Sequence, residues 1–132
     1  MHPIKQKQSE GKIQSQCFLW LWNNYPLTRG LLYHIPNGGL RTPLEASRFK
    51  AMGVVPGIPD FCLAIHSIAY PESHYSALYI EMKTDKGRES TEQLQIHKTL
   101  REAGNRVETV RSFEDFQTLI LEYLKGTRYL LK

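Results

Sequence analysis

Asp60 closes the run Gly57-Ile58-Pro59-Asp60, and Glu81-Met82-Lys83 follows with Glu81 twenty-one residues further on. Each acidic position borders a stretch that reads as a buried strand. Residues two apart on an extended strand emerge on one face, about 7 Å from each other along the chain, so Glu81 and Lys83 would bring a carboxylate and an ammonium to one site. Burying such charges costs several kcal/mol per ion unless they are paired or coordinated. The apolar neighbours Ala77-Leu78-Tyr79-Ile80 make the arrangement expensive without a partner. A divalent cation would supply one. Two carboxylates from adjacent strands suit Mg²⁺, which prefers oxygen ligands and keeps several waters, one of them a potential nucleophile. An isolated E-x-K is more often a solvent-facing strand end than a site. The Pro-Asp upstream is what argues for chemistry here.

The surrounding pattern supplies elements that can hold these groups. Ile13, Cys17, Trp20 and Leu21 recur at i, i+4, i+7 and i+8, which predicts a helix over Gln8 to Asn24 with one apolar stripe. Glu10 and Gln14 fall on that stripe. Glu10 either fringes solvent in the first turn, where the helix dipole favours acids, or faces something cationic. Leu31 to Ile35 reads as a strand ended by the turn-forming Pro36-Asn37-Gly38-Gly39. Thr42-Pro43-Leu44-Glu45 is a T-x-x-E capping box with proline at the first helical position, opening a helix to about Met52.

Strands are then predicted at Asp60 to Ile65 and Ala77 to Lys83, joined as an antiparallel hairpin by the polar connection Ser67 to Ser76. A helix over Ser90 to Ala103 should turn Ile96, Leu100 and Ala103 inward, with Gln93 and His97 at the edge of that face and Gly104 as its stop. Val107 to Val110 gives a fourth strand. Ser112 caps a last helix that should bury Phe113, Phe116, Leu119, Ile120, Tyr123 and Leu124. The order is helix, strand, helix, strand, strand, helix, strand, helix, which is α/β with a mixed central sheet of about four strands flanked by helices. Tyr33 and His34 read as packing residues.

The 132 residues are enough for one domain but not for a catalytic domain plus a separate recognition module. Residues 1–7 read as a loose basic tail, 8–125 as the domain, and 126–132 as a C-terminal tail that offers interface material. The longest apolar run, Cys17 to Trp22, is too short to span a membrane, and no signal-peptide pattern opens the chain. A cytoplasmic protein without membrane attachment is expected. Cys17 and Cys62 fit packing rather than a disulfide framework. The five histidines lack zinc-site spacing. A formal charge of +4 is compatible with a polyanionic partner without deciding for one.

Taken in order, the runs Glu10-x-x-x-Gln14, His34-Ile35-Pro36-Asn37-Gly38-Gly39, Lys50 to Asp60, Tyr79-Ile80-Glu81-Met82-Lys83 and Ser90-x-x-Gln93 resemble the VRR-NUC nucleases of the PD-(D/E)XK superfamily. The similarity spans about residues 8 to 125 and looks like the stand-alone form found in phage and bacterial genomes. It implies a restriction-endonuclease-like fold in which Asp60 and Glu81 bind metal together with the backbone carbonyl of Met82. It implies further that Lys83 orients or activates the attacking water, and that Glu10 lies near the metal and binds it directly or through water. Gln93 would support Lys83 or the water, although Ser90-x-x-Gln93 is also a capping box and needs no catalytic role.

The resulting expectation is a Mg²⁺-dependent DNA endonuclease in which Mn²⁺ can substitute, with no nucleotide cofactor. Arg41, Arg48, Lys50, Lys86 and Arg88 flank the site in sequence and are candidates for DNA-backbone contacts. With no separate module for reading bases, branched DNA such as a four-way junction is the expected target, cut by a homodimer in a repair setting. A DNA-binding module that no longer cleaves, acting within a replication or packaging complex, is the competing class. A sequence-specific restriction-type enzyme would need base-reading loops, and Ser67 to Ser76 is the only insertion long enough to suggest one.

Overall fold

A computed structural model of the chain describes residues 9–36, 42–67 and 74–132. The basic tail expected at residues 1–7, the turn at residues 37–39, Arg41 and residues 68–73 of the connection lie outside them. Helix α1 (Glu10–Asn24) begins where Ser9 Oγ accepts the Lys12 N–H at 3.2 Å, two residues later than the periodicity placed it. Strand β1 (Leu32–His34) is followed by α2 (Pro43–Ala51), capped by Thr42 as the capping box predicted. Strands β2 (Phe61–Leu63) and β3 (Leu78–Met82), helix α3 (Thr91–Glu102), strand β4 (Arg106–Val110) and helix α4 (Phe113–Tyr123) complete the order. Among the described residues no helix is long and apolar enough to cross a membrane.

The four strands form one sheet in the order β1-β2-β3-β4. The first three are antiparallel neighbours, and β4 lies parallel to β3. A parallel pair needs a crossover connection, and α3 supplies it. The expected α/β class and mixed four-stranded sheet are therefore observed.

Alternation along the strands sorts side chains onto two faces. Phe61 and Leu63 of β2 and Leu78, Ile80 and Met82 of β3 join Ile13, Cys17 and Leu21 of α1 and Phe116, Ile120 and Tyr123 of α4 in the main core. Each such fully buried aliphatic or aromatic side chain contributes roughly 1.5–3 kcal/mol. The Tyr123 hydroxyl, carried into that core, donates to the Ile65 carbonyl at 2.7 Å, so it is not left unsatisfied. Phe113, expected to be buried, is only partly so at the start of α4. Residues 126–132 fold back, with a 3-10 turn at Arg128–Leu130 that packs Tyr129 and Leu130 against the core. Both cysteines are free and buried, and burial pushes the Cys17 thiol up to about 12, which suits packing.

The second face of the sheet carries Cys62, Tyr79 and Glu81, and α3 lies against it. Here the structure corrects the periodicity. Ile96 and Leu100 are half-buried, Ala103 is exposed, and His97 is the buried residue of α3. The cause is the sheet face beneath: it presents a carboxyl group, so the helix turns a hydrogen-bonding side chain toward it.

Candidate active site

Register alone brings the two acidic residues together. In the antiparallel pair Phe61 lies opposite Ile80, so the next step along the ladder sets Asp60 against Glu81. Side chains of directly opposite residues share a face with Cβ atoms about 4.5–5.5 Å apart. The Asp60 and Glu81 carboxyls are in hydrogen-bonding contact. A further contact of the Asp60 side chain ties it to the strand: Oδ2 accepts the Met82 N–H at 2.7 Å. Asp60 itself sits at the mouth of β2, its carbonyl accepting the Ile35 N–H at 2.8 Å, with His34 Nδ1 at the same distance.

Glu81 is 2% exposed. Desolvation by that burial, with the Asp60 carboxyl beside it, pushes its pKa up to about 9, while the Lys83 charge pulls the other way and Glu10 adds to the rise. Two carboxyls held in contact in a dry place cannot both ionise without added positive charge. Lys83 continues the same strand face, and its backbone N–H is anchored on the Val110 carbonyl at 3.0 Å.

The turn after Lys83 is clamped. Arg111 Nη1 donates to the carbonyls of Thr84 at 2.8 Å and Gly87 at 2.6 Å. Gly87 sits over the Lys83 stem, since a Cβ there would lie 3.4 Å from Lys83 Cδ. Glu89 at the end of the turn accepts from Thr109 Oγ1 at 2.6 Å, which with the Arg111 charge holds its carboxyl below the usual range.

Gly57 fixes the loop that delivers Asp60. Its φ is +85°, and a Cβ would meet the Glu92 carbonyl carbon at 2.7 Å and the Gln93 nitrogen at 2.9 Å, both backbone atoms of α3. The loop and the first turn of α3 thus approach backbone to backbone. Gly57→Ala should destabilise the fold by at least about 1–2 kcal/mol from the left-handed backbone alone. It should also displace Asp60. Urea denaturation compared with wild type checks the first part, and an unchanged midpoint would contradict the packing described.

The residues singled out from sequence are placed as follows. Asp60, Glu81, the Met82 backbone and Lys83 converge. Glu10 is exposed in the first turn of α1 and reaches Glu81 by charge only. Gln93 completes the capping box, its Oε1 accepting the Ser90 N–H at 2.8 Å while Ser90 Oγ accepts the Gln93 N–H at 3.1 Å. It makes no hydrogen bond to Asp60, Glu81 or Lys83 among the described residues. Arg48 and Lys50 are exposed at the end of α2, and Lys86 and Arg88 are exposed in the turn after Lys83. Tyr33 and His34 are exposed rather than packed, although the His34 ring stands edge-on to Phe61 with centroids 6.3 Å apart.

Three contributors escape the sequence reading. His97 Nε2 lies 3.3 Å from Glu81 Oε1, with both side chains buried. Burial and the nearby Arg101 charge lower the His97 pKa, so the contact joins neutral groups while Glu81 keeps its proton. The only advance signal was a polar residue on a helix face that had apolar neighbours. Arg111 and the close approach at Gly57 carry no local signal, because both act across long sequence separations.

The donor set fits a hard cation. Asp60, Glu81 and the Met82 carbonyl offer only oxygen, and the retained proton on Glu81 marks a place short of positive charge. Among the described residues no three His, Cys, Asp or Glu side chains gather into a complete cage.

No curated protein matches the chain. A solved structure described as a "VRR_NUC domain protein" superposes with a TM-score of 0.77 at 22% identity, covering 92% of this chain and 93% of that one, which shows a shared fold. The VRR-NUC domain family matches residues 9–114, the span that holds Glu10, Asp60, Glu81, Lys83 and His97. The chain therefore belongs to the VRR-NUC domain family, a family of nuclease domains.

Proposed function

We propose that this chain hydrolyses phosphodiester bonds of DNA as a Mg²⁺-dependent endonuclease of the PD-(D/E)XK type, and that it selects branched DNA. The observation that carries the reading is the half-buried Asp60 at the mouth of β2 set opposite the buried Glu81 of β3, with Lys83 on the same face. Asp60, Glu81 and the Met82 carbonyl would hold the cation. When bound, it supplies charge to offset that on the phosphoryl oxygens and acidifies the attacking water.

The chain's own residues do the rest. Asp60, tied to the Met82 N–H, and Glu81, held between Asp60 and His97, keep their oxygens in place before substrate arrives, so little reorganisation is needed at the reaction. The Lys83 ammonium orients the water by hydrogen bonding and balances charge at the scissile phosphate. Its stem is confined by the turn that Arg111 holds. Arg48, Lys50, Lys86 and Arg88 supply contacts to the DNA backbone.

Selection of branched DNA follows from a small domain with no second module for base edges. A homodimer would match two sites to two strands. Leu19, Trp22, Leu27 and Tyr33, all exposed, offer apolar surface for that pairing.

End-labelled four-way junction, flap and linear duplex DNA, incubated with purified protein in Mg²⁺, Mn²⁺ or EDTA, test the reading. Cutting of the branched substrates that EDTA abolishes is expected. In the same assay Lys83→Ala should lower turnover about 10²-fold, on the scale of a lost acid–base group, with little change in DNA affinity. An equal loss in both would make Lys83 a phosphate anchor. Binding without cutting in either metal would leave a non-catalytic module on this fold.

A further inference from the structure

We infer that His97 is a positioning residue for Glu81, dedicating one oxygen of that carboxylate to the protein and leaving the other free for a cation; the inference rests on the metal-site reading above. The contact runs from Nε2 of His97 in α3 to Oε1 of Glu81 in β3 at 3.3 Å. Each residue is 2% exposed, so water does not compete for either group.

The geometry forms a chain of restraints across three elements. The Met82 N–H holds Asp60 Oδ2, the Asp60 carboxyl contacts that of Glu81, and His97 meets Glu81 Oε1 from the helix. Glu81 has three side-chain torsions, and a carboxylate free to swing would lose part of its affinity for a cation to entropy. An ionised carboxylate only accepts hydrogen bonds, so the imidazole serves it by donating from Nε2–H.

The choice of residue type argues the same way. Ile96 and Leu100, the neighbours of His97 on α3, are half-buried apolar groups. A leucine at position 97 would extend that surface and have no polar group of its own, but it would leave the buried Glu81 Oε1 without this partner. A buried imidazole is an expensive substitute unless its hydrogen bond has a use.

The test measures Mn²⁺ binding to the purified full chain without DNA, by calorimetry and by loss of the free-ion electron paramagnetic resonance signal, with thermal unfolding of each metal-free variant alongside. His97→Leu should bind Mn²⁺ about 10–100-fold more weakly, the usual cost of losing a group that orients a metal ligand, a larger loss than any change in its thermal stability accounts for. His97→Gln, whose amide nitrogen can occupy the Nε2 position, should restore affinity to near the wild-type value. His97→Phe keeps the ring volume without the donor and should behave as His97→Leu does, which covers the case in which leucine fails to fold. Unchanged Mn²⁺ affinity in the leucine and phenylalanine variants would overturn the inference while leaving the metal site standing. Weakened affinity in all three variants, in step with their thermal stability, would reduce His97 to packing. Absence of Mn²⁺ binding by the wild type would overturn the metal-site reading itself.

Discussion

Asp60→Asn is expected to lower DNA cleavage by about 10³-fold, on the scale of losing one preorganised charge-stabilising group, while the protein stays folded. The asparagine carbonyl oxygen can still accept the Met82 N–H that Asp60 Oδ2 accepts at 2.7 Å, so the link between β2 and β3 survives. What disappears is the negative charge beside Glu81. In the metal-free protein that charge is a burden, since the Asp60 carboxyl is among the causes that raise the Glu81 pKa. The variant should therefore unfold at the same temperature as wild type or slightly higher. Single-turnover cleavage of a branched substrate and thermal denaturation, run on the same preparation, measure both effects. Full activity in Asp60→Asn would remove Asp60 from the metal site, and a large fall in melting temperature would show that its role is structural.

The second large effect is a dependence on pH. Glu81 has its pKa raised to about 9, chiefly by desolvation, so in the metal-free protein it carries a proton at neutral pH. A cation that takes Glu81 as a ligand must displace that proton. Apparent affinity for Mg²⁺ or Mn²⁺ should therefore rise about tenfold per pH unit below about 9, with close to one proton released per cation bound. Calorimetry in two buffers of different ionisation enthalpy counts the proton directly. No release at pH 7.5 would mean that Glu81 is already ionised or is not a ligand.

The same shift sets how stability varies with pH. For an acid whose folded pKa lies above its unfolded value, the native state binds more protons between the two values, so stability falls as pH rises through that window. For Glu81 the window runs from 4.5 to about 9. His97, with a lowered pKa, acts in the opposite sense: its neutral form is kept in the fold, and stability is lost as pH falls below its ordinary 6.5. The two partly cancel in acid and separate above pH 7. Urea midpoints between pH 7 and 8.5 should decline for the metal-free wild type and flatten for Glu81→Gln, which also should not cleave. A flat wild-type profile would contradict the buried, protonated state of Glu81.

Much of this architecture is legible in local signals. Thr42, Ser90 and Ser112 each cap the helix whose start they mark, because a cap acts within three residues of itself. The hairpin of β2 and β3 follows from two apolar runs joined by a polar connection, and the burial of α4 from a pattern of period 3.6. Phe113 is a small miss at a helix end. His97 is the instructive one: an apolar stripe identifies the inward face only when what lies beneath is apolar, and here it is a carboxyl.

The sequence by itself determined which chemical groups are present, the order of elements that carry them, and that Glu81 and Lys83 share a strand face, since spacing along one strand decides the last of these. Only the tertiary structure decided that Asp60 stands opposite Glu81, because that depends on the register of two strands joined across the fourteen intervening residues from Ala64 to Ala77. It likewise decided that Glu81 is dry enough to keep its proton, that His97 meets it, that Gly57 lies against α3, and that Arg111 holds the turn beside Lys83. Each of these is a contact between segments distant in the chain. Desolvation and long-range hydrogen bonds are properties of packed surroundings, and no local pattern encodes them.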